Sequence, residues 1–250
     1  MKKLLDPRST IHLVSLSMKF RMQQRFSSLM ISLLLFFGCL VTLGMSHYQE
    51  AYRLENLSEK NHRMKVYQFL NSQGYQISSE KYFYQLWDTL KEASHLFEID
   101  FETLLSLGLI ESGLNARAIS PKGAQGVFQI RPSTAEAFWK DFQIKSGALG
   151  LSRYQNQSFS SVSLVDTRVS IYLGTFYLAH LKSIFQDRTH LALAAYNVGP
   201  SALRKSLKQG EMRGRDYISR VYQMRRQIRA LREKPSQSLA AKVVVADSRF

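Results

Sequence analysis

One acid ends an otherwise apolar run. Leu107, Gly108, Leu109 and Ile110 lead straight into Glu111, and Ser112 and Gly113 follow. Burying a carboxylate costs several kcal/mol unless it is paired or protonated. An acid in such a place is either a solvated helix-end charge or a carboxyl whose pKa is raised by its apolar neighbours. A raised pKa keeps a proton available near neutral pH, which is what cleaving a glycosidic bond needs at the leaving oxygen. Most glycosidases add a second carboxylate. The nearby acids Glu98, Asp100, Glu102, Glu136 and Asp141 fall in segments read as caps or solvent faces, so none stands out as a partner.

Three further stretches hold groups suited to a polar cleft: Gly123-Ala124-Gln125-Gly126-Val127-Phe128-Gln129, Ala195-Tyr196-Asn197-Val198-Gly199, and Arg215-Asp216-Tyr217. Each residue also has a plainer reading. Gln129 could satisfy loop backbone groups, Tyr196 could be a buried aromatic, Asn197 a helix cap, and Tyr217 core. The glycines serve backbone conformation first.

Taken in this order and at these spacings, the stretches resemble the lytic transglycosylases of the soluble, SLT type, over roughly residues 82–232. The resemblance implies a mainly α, lysozyme-like helical catalytic domain. It implies that Glu111 of Glu111-Ser112 is the catalytic acid, that Ser112, Gln129, Tyr196, Asn197 and Tyr217 meet substrate, Tyr217 as the match of the family's late tyrosine, and that Tyr196 sits by the acid. The implied substrate is the β-1,4 bond between N-acetylmuramic acid and N-acetylglucosamine in peptidoglycan. The implied mechanism needs no second carboxylate, because the 2-acetamido group assists departure and Glu111 then serves as base for the sugar's own 6-hydroxyl, giving a 1,6-anhydro end. Four residues at three places depart from the family pattern. Val127-Phe128 stand where it often has Leu-Met, Arg131 where it often has methionine, and Ser170 where an asparagine is usual. The first two bear on sugar contacts and the last on structure.

The elements that must position these groups read as helices. Phe83, Leu86, Trp87, Leu90 and Ala93 recur at helical spacing. Asp100 is a predicted N-cap, Ser133 with Glu136 a capping box, and Asp166 the cap of a helix with Val169, Leu173, Phe176, Tyr177 and Leu181 as its stripe. Short helices follow over 191–196 and from Ser201, and a long basic one over 217–233. Gly126 to Ile130 could be a short extended piece, 142–165 a surface loop, and 234–250 a tail.

The N-terminal part is different. Leu29–Met45 carries no charge, follows several basic residues, and is near the length that crosses a bilayer. The charge bias places 1–28 in the cytoplasm and everything after 45 outside. A cleaved signal peptide is the rival, and Gly38-Cys39 faintly suggests a lipoprotein site. The expected organisation is therefore a basic segment 1–28, a transmembrane anchor 29–45, a juxtamembrane stalk 46–81, a catalytic domain 82–233 and the tail. The expected location is the inner membrane, single-pass, with the domain on the periplasmic side.

The formal charge of +15 points to anionic partners. Residues 201–232 hold ten lysines and arginines against Glu211 and Asp216. No nucleic-acid motif accompanies them, so peptidoglycan carboxylates or anionic lipid are preferred and nucleic acid is not expected. One cysteine, Cys39, excludes an intrachain disulfide, and six scattered histidines offer no ligand spacing, so neither metal nor cofactor is expected. A hydrolase of the same glycan and a non-catalytic component of an envelope machine remain alternatives. Product ends separate the first from a transglycosylase, and an intact Glu111 argues against the second.

Overall fold

The computed structural model describes residues 7–232, save the side chains of 7–29, 31–35 and 161. It is mainly helical. The helices are α1 (Pro7–Ser72), α2 (Glu80–Phe97), α3 (Phe101–Ser112), α4 (Pro132–Ala148), α5 (Thr167–Ile184), α6 (Thr189–Val198), α7 (Pro200–Lys208) and α8 (Arg215–Ala230). Among the described residues there is no named strand. The piece expected to be extended holds only isolated antiparallel bridges, Ile119 with Gln125 and Gln125 with Ile130.

The chain divides into two units, one up to Glu59 and one from Lys60. The first is helical, and Phe36, Phe37, Leu40, Val41, Leu43 and Met45 stand exposed on it. Among the described residues no helix is long and apolar enough to cross a membrane. The anchor expected over 29–45 falls on α1, where the side chains of 29 and 31–35 are not described, and the tail 234–250 lies outside the described residues.

The second unit begins about twenty residues before the expected boundary at 82. His62, Val66 and Leu70, four apart and therefore on one helix face, are all buried in its core. His62 donates from Nε2 to the Ile228 carbonyl at 3.1 Å and meets Trp87 edge-on. The final turns of α1 are thus part of the domain's packing, not of a stalk.

Helix α3 is the axis of this unit. Phe101 through Leu109 are all buried, so the helix is covered on every side, as a helix apolar all round must be. Asp100 caps it, accepting from the Thr103 N–H at 2.9 Å. Asp100 also receives Arg225 at 2.8 Å and Arg229 at 2.9 Å from α8. Buried Glu102 pairs with Arg232 at 3.1 Å. These arginines lock α8 and the turn after it to the start of α3.

Two local expectations fail for identifiable reasons. Helix α4 is capped by Arg131 with Pro132 at its first position, and no side chain closes the cap. Proline is preorganised for that position, so Ser133 falls inside the helix and forms no capping box. Residues 142–165 are a surface loop only in part. Helix α4 runs on to Ala148, and Phe142, Leu151, Tyr154 and Leu164 are buried. The Gln143 amide donates to the carbonyls of Tyr154, Gln155 and Gln157, which supplies partners to a loop that packs inward.

Burial pushes the Asp100 carboxyl up, but bonds from Arg225 and Thr103 outweigh it and hold the pKa at about 2, below its ordinary 3.8. A depressed carboxylate stabilises the fold above its ordinary pKa and loses that contribution as pH falls through the folded value. Chemical denaturation of the wild type and Asp100→Asn, which keeps a capping side chain, should show a constant difference from pH 5 to 7. That difference should shrink between about 4 and about 2. A difference independent of pH would rule out the ion pairs as its source.

Candidate active site

Glu111 sits in the last turn of α3, largely buried, with one edge facing a cleft of about 820 Å³. The cleft is also lined by Ser120, Lys122, Gln129, Arg131, Thr134, Tyr177, Tyr196, Asn197 and Pro200, among others. Burial raises the Glu111 pKa above its ordinary 4.5, and the Tyr217 hydroxyl and the Arg220 guanidinium pull against that rise without cancelling it. Tyr217, buried on α8, donates its hydroxyl to Glu111 Oε1. Arg220 lies one turn further along α8, 5.9 Å from the Tyr217 ring centre. Burial drives the phenols of Tyr196 and Tyr217 well above their ordinary pKa, and the nearby Glu111 charge adds to it. Both therefore stay protonated donors.

The wall facing Glu111 is the loop between α3 and α4, and its sequence explains its shape. Gly126 has φ +79° and its amide donates to the Ala118 carbonyl at 3.0 Å. A Cβ there would lie 2.1 Å from the Leu164 carbonyl oxygen and 2.5 Å from Ser170 Oγ. Only glycine fits this approach to α5. Ser170 then accepts from the Phe128 N–H at 3.1 Å, so this position is structural. The Phe128 ring is fully buried against Gly174, where an added Cβ would come within 2.4 Å of it. Val127 and Phe128 are core, not sugar contacts; Arg131 is the departure from the family pattern that does reach the cleft.

Tyr196 donates to the Phe128 carbonyl at 2.8 Å and packs on Tyr177 with ring centres 5.4 Å apart. Gln129, itself at φ +48°, donates both amide hydrogens to the Ala118 and Gly126 carbonyls at 3.0 Å. It holds the loop, and its remaining polar atom, the amide oxygen, is what it can offer a ligand. Asn197 is exposed near the end of α6 and lines the cleft. Ser112 is different. Its hydroxyl donates to the Gly108 and Val127 carbonyls at 3.2 and 2.8 Å, and it is not among the cleft's lining residues. Ser112 ties α3 to the loop.

The tertiary structure thus brings Glu111, Gln129, Tyr196 and Asn197 to one cleft, with Tyr217 behind the acid and Ser112 beneath the wall. Sequence reading missed Arg220, Lys122, Thr134 and the site role of Tyr177. Arg220 lies three residues past Tyr217, on the same helix face, and that spacing was the available signal. Among the described residues no group of acids, histidines and cysteines could hold a metal ion.

The unit is thus mainly helical and sets a largely buried acid at a helix end beside a cleft with polar lining. The family model of the transglycosylase SLT domain matches residues 88–218, more than half of the chain. The chain belongs to that family. It is 34% identical over 137 residues to a membrane-bound lytic murein transglycosylase F of Thiobacillus denitrificans, covering 52% of this chain and 25% of the relative. It is 33% identical over 132 residues to a soluble lytic murein transglycosylase of Escherichia coli, covering 48% and 19%. The chain thus spans a quarter or less of the length of these curated relatives. Among solved structures, the 70 kDa soluble lytic transglycosylase of Escherichia coli aligns with a TM-score of 0.41 at 24% identity, over 58% of this chain and 22% of that one.

Two variants probe the geometry. In Gly126→Ala the new methyl meets a backbone oxygen and a positive φ, so thermal denaturation should show a loss of about 3 kcal/mol. A neutral result would mean the loop does not approach α5 so closely. In Tyr217→Phe the Glu111 carboxylate loses a donor that favours its charged form, so its pKa should rise further. Carboxyl-carbon NMR should find the titration midpoint moved to higher pH; a move to lower pH would contradict the bond.

Proposed function

We propose that the chain is a peptidoglycan lytic transglycosylase, cleaving the β-1,4 bond between N-acetylmuramic acid and N-acetylglucosamine without water. The observation that carries this reading is Glu111: a carboxyl whose pKa is raised by burial, opening onto a cleft, and the sole carboxylate among its lining residues. Family membership supports the same reading, and so do the relatives' names.

The chemistry follows from one acid used twice. Glu111 gives its proton to the glycosidic oxygen as the bond to C1 breaks, with the sugar's 2-acetamido group sharing the positive charge at C1. The carboxylate left behind is momentarily stabilised by the Tyr217 hydroxyl and by Arg220. It then takes the proton of the same sugar's 6-hydroxyl, whose oxygen closes on C1. The glycosidic C–O bond is replaced by the internal one, Glu111 ends protonated, and no water is consumed. Tyr196, Gln129 and Asn197 line the path of the strand, and Tyr217 sets the acid's orientation.

The apolar run 29–45 is the membrane anchor in this reading. The exposed Phe36, Phe37, Leu40, Val41, Leu43 and Met45 then face acyl chains instead of water. The enzyme is held at the inner membrane with its catalytic unit on the periplasmic side, where wall remodelling or an envelope machine would use it.

Glu111→Gln should lose strand cleavage by at least about a hundredfold. Its fold should survive. A carboxyl with a raised folded pKa stabilises below its ordinary pKa and loses that contribution as pH rises through the folded value. The glutamine variant should therefore melt no lower than wild type at pH 7. Mass spectrometry of digested sacculi should show 1,6-anhydro ends from the wild type and intact strands from the variant. Cleavage by the variant would sink the assignment of the acid, and reducing ends would turn the enzyme into a hydrolase.

A further inference from the structure

Apart from Glu111, the charged side chains lining the cleft are Lys122 and Arg131. Both are exposed, and among the described residues neither has an acidic partner. Elsewhere in this domain some cations pair with acids: Arg63 with Asp88, Arg168 with Glu92, Lys182 with Asp187, and Arg225, Arg229 and Arg232 with Asp100 or Glu102. What sets Lys122 and Arg131 apart is their place: they share the wall of the one cleft onto which Glu111 opens, and no further acid lines it.

The backbone beneath them is fixed. Lys122 rides a turn in which Ser120 and Ala124 pair at 2.9 Å, Gly123 donates to Ser120 at 2.9 Å, and Ser120 Oγ accepts from Ala124 N–H at 3.0 Å. Arg131 follows Ile130, which exchanges both backbone bonds with Gln125 at 3.0 and 3.1 Å. Gln125 is bridged to Ile119 as well as to Ile130, so both cations project from one small scaffold. After Arg131, the Pro132 ring locks the chain, and the Arg131 carbonyl accepts from the Thr134 and Ala135 amides at 2.9 Å.

Sugar hydroxyls need no fixed cation, but carboxylates do, and a guanidinium grips a carboxylate through two parallel bonds. We infer that Arg131 and Lys122 form a carboxylate-recognising subsite on the loop wall, which selects strands carrying an anionic substituent next to the bond facing Glu111. This rests on the reading of the cleft as a peptidoglycan-strand site. Such a strand offers carboxylates from two sources: the lactyl group of a stem-free sugar, or the peptide stem attached through it.

The test is equilibrium binding of fluorescent strand fragments to the full chain in detergent, in a Glu111→Gln background that prevents turnover. Three ligands are compared: stem-free with the free lactyl acid, stem-bearing, and stem-free with the lactyl acid converted to a neutral methyl amide. The parent should bind an acidic ligand about tenfold more tightly than the neutral one at low salt, and the ratio should fall at high salt. The better of the two acidic ligands identifies the source. In Arg131→Met the ratio should drop to about one, and Lys122→Met should lower it partway. An unchanged ratio in both variants overturns the subsite, and so does an equal drop in Lys145→Met, a charge removed from α4 away from the cleft lining. If acid-dependent binding is found but the Glu111 enzyme leaves no anhydro ends, the cleavage reading falls and the subsite stands. Anhydro ends with an unchanged ratio mean the reverse, and a parent that binds none of the three ligands overturns both.

Discussion

The balance at Glu111 sets the terms for the rest of the domain. Burial disfavours its charge, and so does its place in the last turn of α3, where the helix dipole is negative. One phenol donor and one guanidinium, both from α8, push the other way. A carboxyl that must be neutral when it gives a proton and charged when it takes one needs both influences at once. α8 must therefore lie along α3 with its first turns at the acid. The ion pairs supply that alignment: Asp100, at the start of α3, holds Arg225 and Arg229 near the end of α8, while Glu111, at the end of α3, meets Tyr217 near its start. The two helices run antiparallel and are pinned at both ends.

The opposite wall obeys a different constraint, close approach. Gly126 lets the loop touch the Leu164 carbonyl and Ser170, and Gly174 leaves room for the Phe128 ring. With Phe128 seated, its carbonyl is presented to Tyr196, and Gln129 bends back to hold Ala118 and Gly126. The residues that resemble a family's substrate contacts are in this structure first the ties of a loop. Their readiness for a ligand comes from that rigidity, because a group whose other bonds are already made loses little freedom on binding.

The helical class was legible because burial imposes a period. Phe83, Leu86, Trp87, Leu90 and Ala93 all reached the core from their spacing alone, and Asp100 and Asp166 cap the helices they precede. Where packing does not follow a period, the reading failed. Residues 142–165 carry buried aromatics at irregular intervals, with partners from Gln143 that no local pattern reveals. His62, Val66 and Leu70 lie among polar neighbours, and only their burial against α2 and α8 gives them away.

The amino-acid order by itself determined the carboxyl at the end of an apolar helix, the glycines where side chains would collide, and the charge patterns at both ends of the chain. These are local properties, set by neighbours within a few turns. Which hydroxyl faces the acid, which carbonyls Ser112 bonds, and which cations line the cleft were decided only by tertiary structure. Those outcomes depend on pairs such as Glu111 with Tyr217 and Tyr196 with Phe128, 106 and 68 residues apart. Over such separations the choice of partner is made by packing of the whole core.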